Sequence, residues 1–317
     1  MLKRVGLGID TGGTFTKILA VSESGQVLRR LQVRSEPHLG PARFIPRVAA
    51  AVRRIERSLG RSAQTACLAV AGDVDPVSGR LRRSPNLPAF EDFPLRERLS
   101  RALSRPVEVH NDANMAAWGC YTLEFKRRCP NVVGVTMGTG VGGGVVLDGR
   151  LVTGATGSAG EIGHVRVAVD GAVCRCGARG CLEAYAGKYG VTRIALELLR
   201  EKGETARGRF RVGESALQPH HLAAAAAQGD RLAREVWRRV GRALAVGIVN
   251  VVYLLNPDAI IFAGGVSRAA PYFMGSIRRA LRAETFRAPF GRVRIAVARR
   301  EDMGALGAAL YSLEGPH

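Results

Sequence analysis

The chain has 317 residues, a length that accommodates two domains, and its 46% hydrophobic content can fill a core in each. No apolar stretch approaches the length of a transmembrane helix, and the short apolar run near the N-terminus is unlike a signal peptide. Three cysteines are clustered and three are scattered at positions 67, 120 and 129, which is not a disulfide framework. We therefore expect a cytoplasmic protein with no membrane partner.

The formal net charge is +20, because 47 lysines and arginines outnumber 27 acidic residues. Most of this charge is arginine scattered over predicted helix surfaces, and no long basic block occurs. Aromatic residues are only 6% of the chain, so platforms for base stacking are scarce. This pattern indicates that the positive charge reflects an arginine-rich surface and not a nucleic-acid partner. The alternative is that the charge serves an anionic partner, and a phosphate-bearing substrate would be one.

The first part of the chain alternates strands with helices. Strands are predicted at residues 5–9, 15–21, 27–33, 68–71 and 107–109, helices at 39–59 and from 111 to about 128, and a proline-rich loop at 73–94. These elements predict an α/β domain over residues 1–112. A helix of small residues at 303–313 needs a surface to cover, so residues 303–317 are expected to rejoin this domain.

Residues 113–302 are predicted to form a second α/β domain. Its elements are strands at 132–137, 145–147 and 259–262, a mobile polar stretch at 202–217, and a long amphipathic helix at 230–255. Gly264-Gly265 forms a turn after the last of these strands, where a nucleotide could approach the backbone closely; an ordinary tight turn is the alternative.

A turn rich in glycine and threonine opens each half of the chain. The first is Asp10-Thr11-Gly12-Gly13-Thr14 and the second is Gly138-Thr139-Gly140. Two such hairpins facing each other across a cleft can hold a triphosphate through backbone N–H groups and hydroxyls. Neither a GxxxxGK[ST] loop nor a helix-opening GxGxxG occurs, so the sequence predicts a different nucleotide-clamping architecture.

Four potential metal ligands lie within eighteen positions: His164, Cys174, Cys176 and Cys181. Three thiols and an imidazole satisfy tetrahedral zinc with no position left for water, which is typical of a structural site. The spacing is unlike the common CxxC pairs, so unrelated reduced cysteines and a surface histidine are the alternative. Glu161 and Glu183 bracket the predicted zinc loop, residues 164–183, and suggest a binding pocket beside it.

These motifs together resemble the ROK family (repressors, open reading frames and sugar kinases) of the actin-like ATPase superfamily. The resemblance spans nearly the whole chain, and its most specific part joins Glu161-Ile162-Gly163-His164 to the CxCGxxGCxE run that ends at Glu183. It implies a two-domain, ribonuclease H-like α/β fold with an active-site cleft between the domains. The first phosphate loop already begins at Asp10, which leaves no room for the DNA-binding region of the repressor branch and favours a kinase.

The resemblance implies ATP-dependent phosphorylation of a hexose, most often glucose at its 6-hydroxyl, by a homodimer or homotetramer. Asp112 is the predicted general base, with a helix N-cap as its alternative role. Asp10 is predicted to organise Mg²⁺ through water. The predicted sugar ligands are Gly72, Asn86, Asn111, Asp112, Glu161, His164 and Glu183. The predicted nucleotide-binding residues are Asp10, Gly12, Gly13, Thr14, Thr16, Lys17, Gly138, Thr139, Gly140, Gly264 and Gly265.

Zinc is expected to shape the sugar pocket through His164, because one ring nitrogen binds the metal and the other can meet a sugar hydroxyl. The phosphate loops are expected to lie elsewhere, so loss of zinc should impair sugar binding more than nucleotide binding. Alternatives remain open: an N-acetylglucosamine, N-acetylmannosamine or fructose kinase, a polyphosphate-using glucokinase, or a sugar sensor without activity. Asp73 and Trp118 depart from the family pattern, and neither position is a motif residue.

Overall fold

A computed structural model describes residues 4–315 of the chain, so the outermost residues of the predicted first domain and of its C-terminal helix lie outside the described part. The chain divides into two compact units. The first comprises the chain up to Gly134, Gly144–Gly160 and the chain from Asp302 onward; the second comprises Val135–Gly143 and Glu161–Glu301.

Within residues 4–315, the first unit contains a five-stranded sheet in the order β3-β2-β1-β4-β7, a two-stranded sheet formed by β5 and β6, and four α-helices. Its strands are β1 (Val5–Thr11), β2 (Phe15–Ser22), β3 (Val27–Arg34), β4 (Ala66–Val70), β5 (Asp73–Val74), β6 (Leu81–Arg83) and β7 (Val107–Asn111). Its helices are α1 (Gly40–Leu59), α2 (Leu95–Leu103), α3 (Asp112–Gly119) and α10 (Met303–Tyr311). β1 pairs antiparallel with β2 and parallel with β4, which pairs parallel with β7.

Glycines of β1 let α10 lie directly on the sheet. A Cβ atom built on Gly8 would come within 2.3 Å of the Ala305 carbonyl oxygen. On its other side, α10 touches α3 as closely, since a Cβ on Gly307 would lie 1.7 Å from the Met115 carbonyl oxygen. This packing explains the small residues of α10, and it places α3 in the first unit, beyond the boundary expected at residue 112.

The second large sheet has the order β10-β9-β8-β11-β12. Its strands are β8 (Val132–Met137), β9 (Val141–Leu147), β10 (Arg150–Val152), β11 (Ala259–Ala263) and β12 (Arg294–Val297). The helices of the second unit are α4 (Glu183–Ala186), α5 (Lys188–Glu201), α6 (Ala206–Phe210), α7 (Pro219–Ala227), α8 (Arg231–Leu255) and α9 (Ala270–Ala283). Every residue of β11 is buried, as its continuous apolar run predicts for a strand covered on both faces.

Two segments contain local structure that the sequence did not predict. The polar stretch 202–217 contains α6 and a 3₁₀ turn at Glu214–Ala216, and Thr205 caps α6 by accepting from the Gly208 N–H at 3.1 Å. The helix expected to run from 111 to about 128 changes after Gly119 into a π-helix over Cys120–Glu124 and ends there. Among the residues described, no helix has both the length and the apolar character needed to cross a bilayer.

Candidate active site and metal cluster

The carboxyl ends of three parallel strands in the first unit bring the predicted polar residues together. Thr11 at the end of β1 is paired with Val70 at the end of β4, and Val70 with Asn111 at the end of β7. The residues that follow these ends therefore share one edge of the sheet. The Asn111 side-chain amide donates to the Gly72 carbonyl oxygen at 3.1 Å, which joins two of the predicted sugar ligands.

Asp112 is the first residue of α3, and the cap of that helix is Asn111. The Asn111 side-chain oxygen accepts from the backbone N–H groups of Ala113, at 2.8 Å, and Asn114, at 3.3 Å. Asp112 Oδ1 also accepts from Ala113 N at 2.9 Å, but burial outweighs this bond and raises the pKa of Asp112. Because Asn111 already caps the helix, capping does not account for the Asp112 carboxylate.

Asp10 lies at the same sheet edge as a second carboxylate, that of Asp112. Burial, followed by the negative charge of Asp112, raises the pKa of Asp10 from 3.8 to about 7; Lys17 opposes this shift and Asp302 adds to it. The Asp10 carboxylate lies against the N-terminal turn of α10, where a Cβ on Gly304 would be 3.2 Å from Oδ2. A cation stabilises two neighbouring carboxylates that are half-buried, and Mg²⁺ prefers such oxygen ligands.

Asp302 is a site residue that sequence reasoning missed. Its Oδ1 lies 2.7 Å from Lys17 Nζ and its Oδ2 lies 2.7 Å from Arg30 Nη2, so it ties β2 and β3 to the start of α10. Lys17, predicted to bind nucleotide, is thus ion-paired with Asp302. Since 285 positions separate these two residues, only an aspartate just before a small-residue helix could have signalled the contact.

The first glycine-rich turn exposes its tip and buries its base. Gly12 N donates to the Phe15 carbonyl oxygen at 3.0 Å, and Gly13 and Thr14 are exposed. Thr16 is fully buried, with its hydroxyl 3.0 Å from the Ser35 hydroxyl, so its side chain stabilises the hairpin from inside. Asn86 lies beside the tip: a Cβ on Gly13 would be 3.5 Å from Asn86 Oδ1. The structure therefore brings a predicted sugar ligand next to the predicted phosphate loop.

The second glycine-rich turn connects β8 to β9. Gly138 N donates to the Gly140 carbonyl oxygen at 2.9 Å, and Thr139 between them is exposed. Gly264 packs against the strand that leads into this turn: its φ is 90°, and a Cβ on it would lie 2.5 Å from the Met137 carbonyl oxygen. Gly265 next to it has open space where a side chain would be. Predicted nucleotide-binding residues from both segments are therefore neighbours.

The four predicted metal ligands converge on one point. One ligand atom from each of His164, Cys174, Cys176 and Cys181 lies within 4.8 Å of all the others. The sulfur atoms of Cys176 and Cys181 are 3.8 Å apart, which matches the edge of about 3.8 Å in a tetrahedron with metal–sulfur bonds of about 2.3 Å. Gly180, with φ of 76°, closes the loop against the Ala168 carbonyl oxygen, where a Cβ would be only 1.6 Å away. This donor set fits a structural metal ion.

The expectation that the metal loop lies apart from the phosphate loops is wrong for the second loop. Glu183, two residues after Cys181, accepts from Val141 N at 3.0 Å through its Oε2. The Glu161–His164 turn also packs there, since a Cβ on Gly163 would lie 1.9 Å from the Val141 carbonyl oxygen. Sequence spacing could not show this contact, because 42 positions separate Glu183 from Val141.

Comparison with known proteins agrees with these observations. The profile of the ROK family matches residues 6–314. The glucokinase of Thermotoga maritima is 34% identical over 272 residues, covering 86% of this chain and 85% of that protein. The N-acetylmannosamine kinase of Yersinia pestis is 31% identical over 313 residues, covering 97% and 98%. The crystal structure of a ROK family glucokinase from Streptomyces griseus, with glucose and AMPPNP, superposes with a TM-score of 0.82 at 30% identity, covering 98% and 100%.

The two α/β units with glycine-rich turns at their sheet edges define an actin-like ATPase fold of the sugar-kinase type, as predicted. The chain belongs to the ROK family, which confirms the resemblance drawn from its motifs.

Proposed function

We propose that this protein is an ATP-dependent hexose kinase that transfers the γ-phosphoryl group to the 6-hydroxyl of glucose. The observation that carries the proposal is the half-buried Asp112 carboxylate, which lies at the same sheet edge as Asp10 and is not needed as a helix cap. Relatives named glucokinase and a glucokinase structure with glucose and AMPPNP support the same substrates.

In this proposal, Asp112 accepts the proton of the sugar hydroxyl while the hydroxyl oxygen attacks the γ-phosphorus and the bond to the β-phosphate oxygen breaks. A raised pKa strengthens Asp112 as a base, because proton transfer is most efficient when the pKa lies closer to the operating pH. Asn111, Asn86 and the Gly72 backbone orient the sugar beside it. In the second unit, Glu161, His164 and Glu183 keep their proposed roles as sugar ligands.

The glycine-rich turns are proposed to hold the triphosphate through backbone N–H groups and the exposed hydroxyls of Thr14 and Thr139. Gly265 leaves open space beside the second turn, where we place the nucleoside, and Gly264 lets the backbone at this point pack against Met137. Mg²⁺, when bound with the triphosphate, supplies neutralisation of the phosphate charge. Asp10 would orient Mg²⁺ through water. Lys17 would bind the nucleotide while it remains ion-paired with Asp302.

A coupled assay with a panel of sugars and donors tests this function. Glucose, N-acetylglucosamine, N-acetylmannosamine and fructose are each combined with ATP and with polyphosphate. We expect the highest kcat/KM for glucose with ATP. N-acetylmannosamine is the second candidate, because a kinase for that sugar is 31% identical over nearly the full chain. Absence of turnover with every pair, together with measurable sugar binding, would instead indicate a sensor.

We further propose that the cysteine and histidine cluster holds one structural Zn²⁺. Metal analysis of protein purified without chelators should give one equivalent of zinc, and Cys176→Ser should reduce that content and lower the thermal midpoint. Cys129→Ser is the matched control, because Cys129 is buried and is not one of the four clustered residues, so the zinc content should stay unchanged. Wild-type protein without zinc, or an unchanged zinc content in Cys176→Ser, would contradict this site.

A further inference from the structure

The Glu183 carboxylate lies where the metal loop meets the second glycine-rich turn. Its Oε2 accepts from Val141 N at 3.0 Å, and a Cβ built on Gly140 would lie 2.1 Å from the same oxygen. Its Oε1 is 3.8 Å from the sulfur of Cys174, a member of the metal cluster. One carboxylate therefore contacts both the turn and a metal ligand.

Tyr189 contacts both the Glu183 carboxylate and the Cys174 sulfur. Its hydroxyl oxygen is 3.4 Å from Glu183 Oε1 and 3.4 Å from Cys174 Sγ, and it accepts from Arg175 N at 3.4 Å. The Arg175 guanidinium covers the ring at 4.5 Å from its centroid, which holds the ring in place. Tyr189 lies in the first turn of α5, and Lys188 N, at the start of this helix, donates to the Gly138 carbonyl oxygen at 3.0 Å.

Metal binding changes which of these groups can donate a hydrogen bond. As a thiol, Cys174 can donate to Glu183 Oε1; as a metal ligand it is a thiolate and has no proton to give. Two anions would then face each other at 3.8 Å, and the Tyr189 hydroxyl, which is 3.4 Å from each of them, can donate its proton at this point. A charge-assisted hydrogen bond at this point offsets their repulsion.

We propose that Tyr189 is a positioning residue that couples the metal cluster to the glycine-rich turn through Glu183. Its hydroxyl holds Glu183 beside the metal-bound thiolate, so that the other carboxylate oxygen stays on Val141 N. The turn thereby keeps the conformation in which its backbone N–H groups are exposed to bind the nucleotide phosphates. This role in nucleotide binding rests on the proposed function. Loss of the metal should loosen the turn as well as the sugar site.

Tyr189→Phe tests the coupling in the zinc-loaded protein, with Tyr185→Phe as the matched control. The Tyr185 hydroxyl accepts from Ala172 N at 2.9 Å and so supports the same loop through a different group. We expect Tyr189→Phe to accelerate hydrogen exchange at the Val141 amide, transfer of zinc to a chromogenic chelator and dissociation of AMPPNP, each by about tenfold, since a hydrogen bond to a charged group is lost. Tyr185→Phe should leave Val141 exchange and AMPPNP affinity at wild-type values.

A wild-type rate of Val141 exchange in Tyr189→Phe, or equal acceleration in both variants, would overturn the coupling. If Val141 exchange accelerates in Tyr189→Phe alone while wild-type protein binds no AMPPNP, the coupling stands and the proposed function fails. Gly140→Ala provides the reciprocal test with Tyr189 intact, because the added methyl group displaces Glu183 from the turn. It should accelerate zinc transfer although it changes no residue of the cluster, and an unchanged rate would refute the route through Glu183.

Discussion

Asp112→Asn should lower kcat by about 10²–10⁴-fold or more, because loss of a general base usually costs a factor in this range, while the protein stays folded. Asparagine keeps the size of the side chain and can still accept from Ala113 N, and the cap of α3 belongs to Asn111. Sugar affinity and thermal midpoint should therefore remain close to wild type. Steady-state kinetics, calorimetric sugar titration and thermal unfolding together distinguish loss of the base from loss of the fold.

Asp230→Asn is the matched control for this substitution. Asp230 caps α8 by accepting from Ala233 N at 2.7 Å, and it lies outside the proposed active site. Its exchange for asparagine should leave kcat unchanged, because asparagine caps a helix about as well as aspartate. Retention of more than about a tenth of kcat in Asp112→Asn would exclude Asp112 as the base, since that loss corresponds to only about 1.4 kcal/mol.

Asp10→Asn should reduce activity and yet stabilise the nucleotide-free protein at neutral pH. The loss of activity should be about 10–100-fold, as expected when a residue that orients a metal through water is removed. The gain in stability follows from the pKa of Asp10, which is 3.8 when unfolded and about 7 when folded. Each pKa unit corresponds to about 1.4 kcal/mol, so the free energy of unfolding should rise by up to about 4 kcal/mol.

The pH dependence of this stabilisation has a defined sign. Below pH 3.8 Asp10 is protonated in both states and contributes no difference. Between pH 3.8 and about 7 the folded state retains a proton that the unfolded state has lost, so wild-type stability falls as the pH rises and the advantage of Asp10→Asn grows. Urea unfolding of both proteins from pH 4 to 8 measures this difference.

Asp75→Asn should behave oppositely and is the control. Hydrogen bonds from Ser78, first from its backbone N–H, lower the pKa of Asp75 to about 2. Its carboxylate therefore stabilises the fold above pH 3.8, and this contribution is lost as the pH falls towards 2. Asp75→Asn should destabilise the protein at neutral pH. If Asp10→Asn instead destabilises the protein at pH 8, Asp10 is held by attractive contacts, and the carboxylate repulsion inferred for it is wrong.

The sequence by itself determined the family, the α/β class, most strands and the four candidate metal ligands that the structure brings together. These features depend on local pattern: apolar runs of strand length, glycines where a turn needs them, and four ligands close together in the chain. The packing of the C-terminal helix on the first domain could also be predicted, because nine residues rich in glycine and alanine can lie close to a sheet.

Only the tertiary structure decided which groups touch across large separations in the chain. The Lys17–Asp302 ion pair and the Glu183–Val141 hydrogen bond join residues that no spacing rule connects. The raised pKa of Asp10 likewise depends on burial and on a second carboxylate that follows another strand. Such contacts depend on the order of strands in a sheet and on how helices pack against it. That arrangement is stabilised by the sum of interactions over the whole fold, so no local stretch of sequence specifies it.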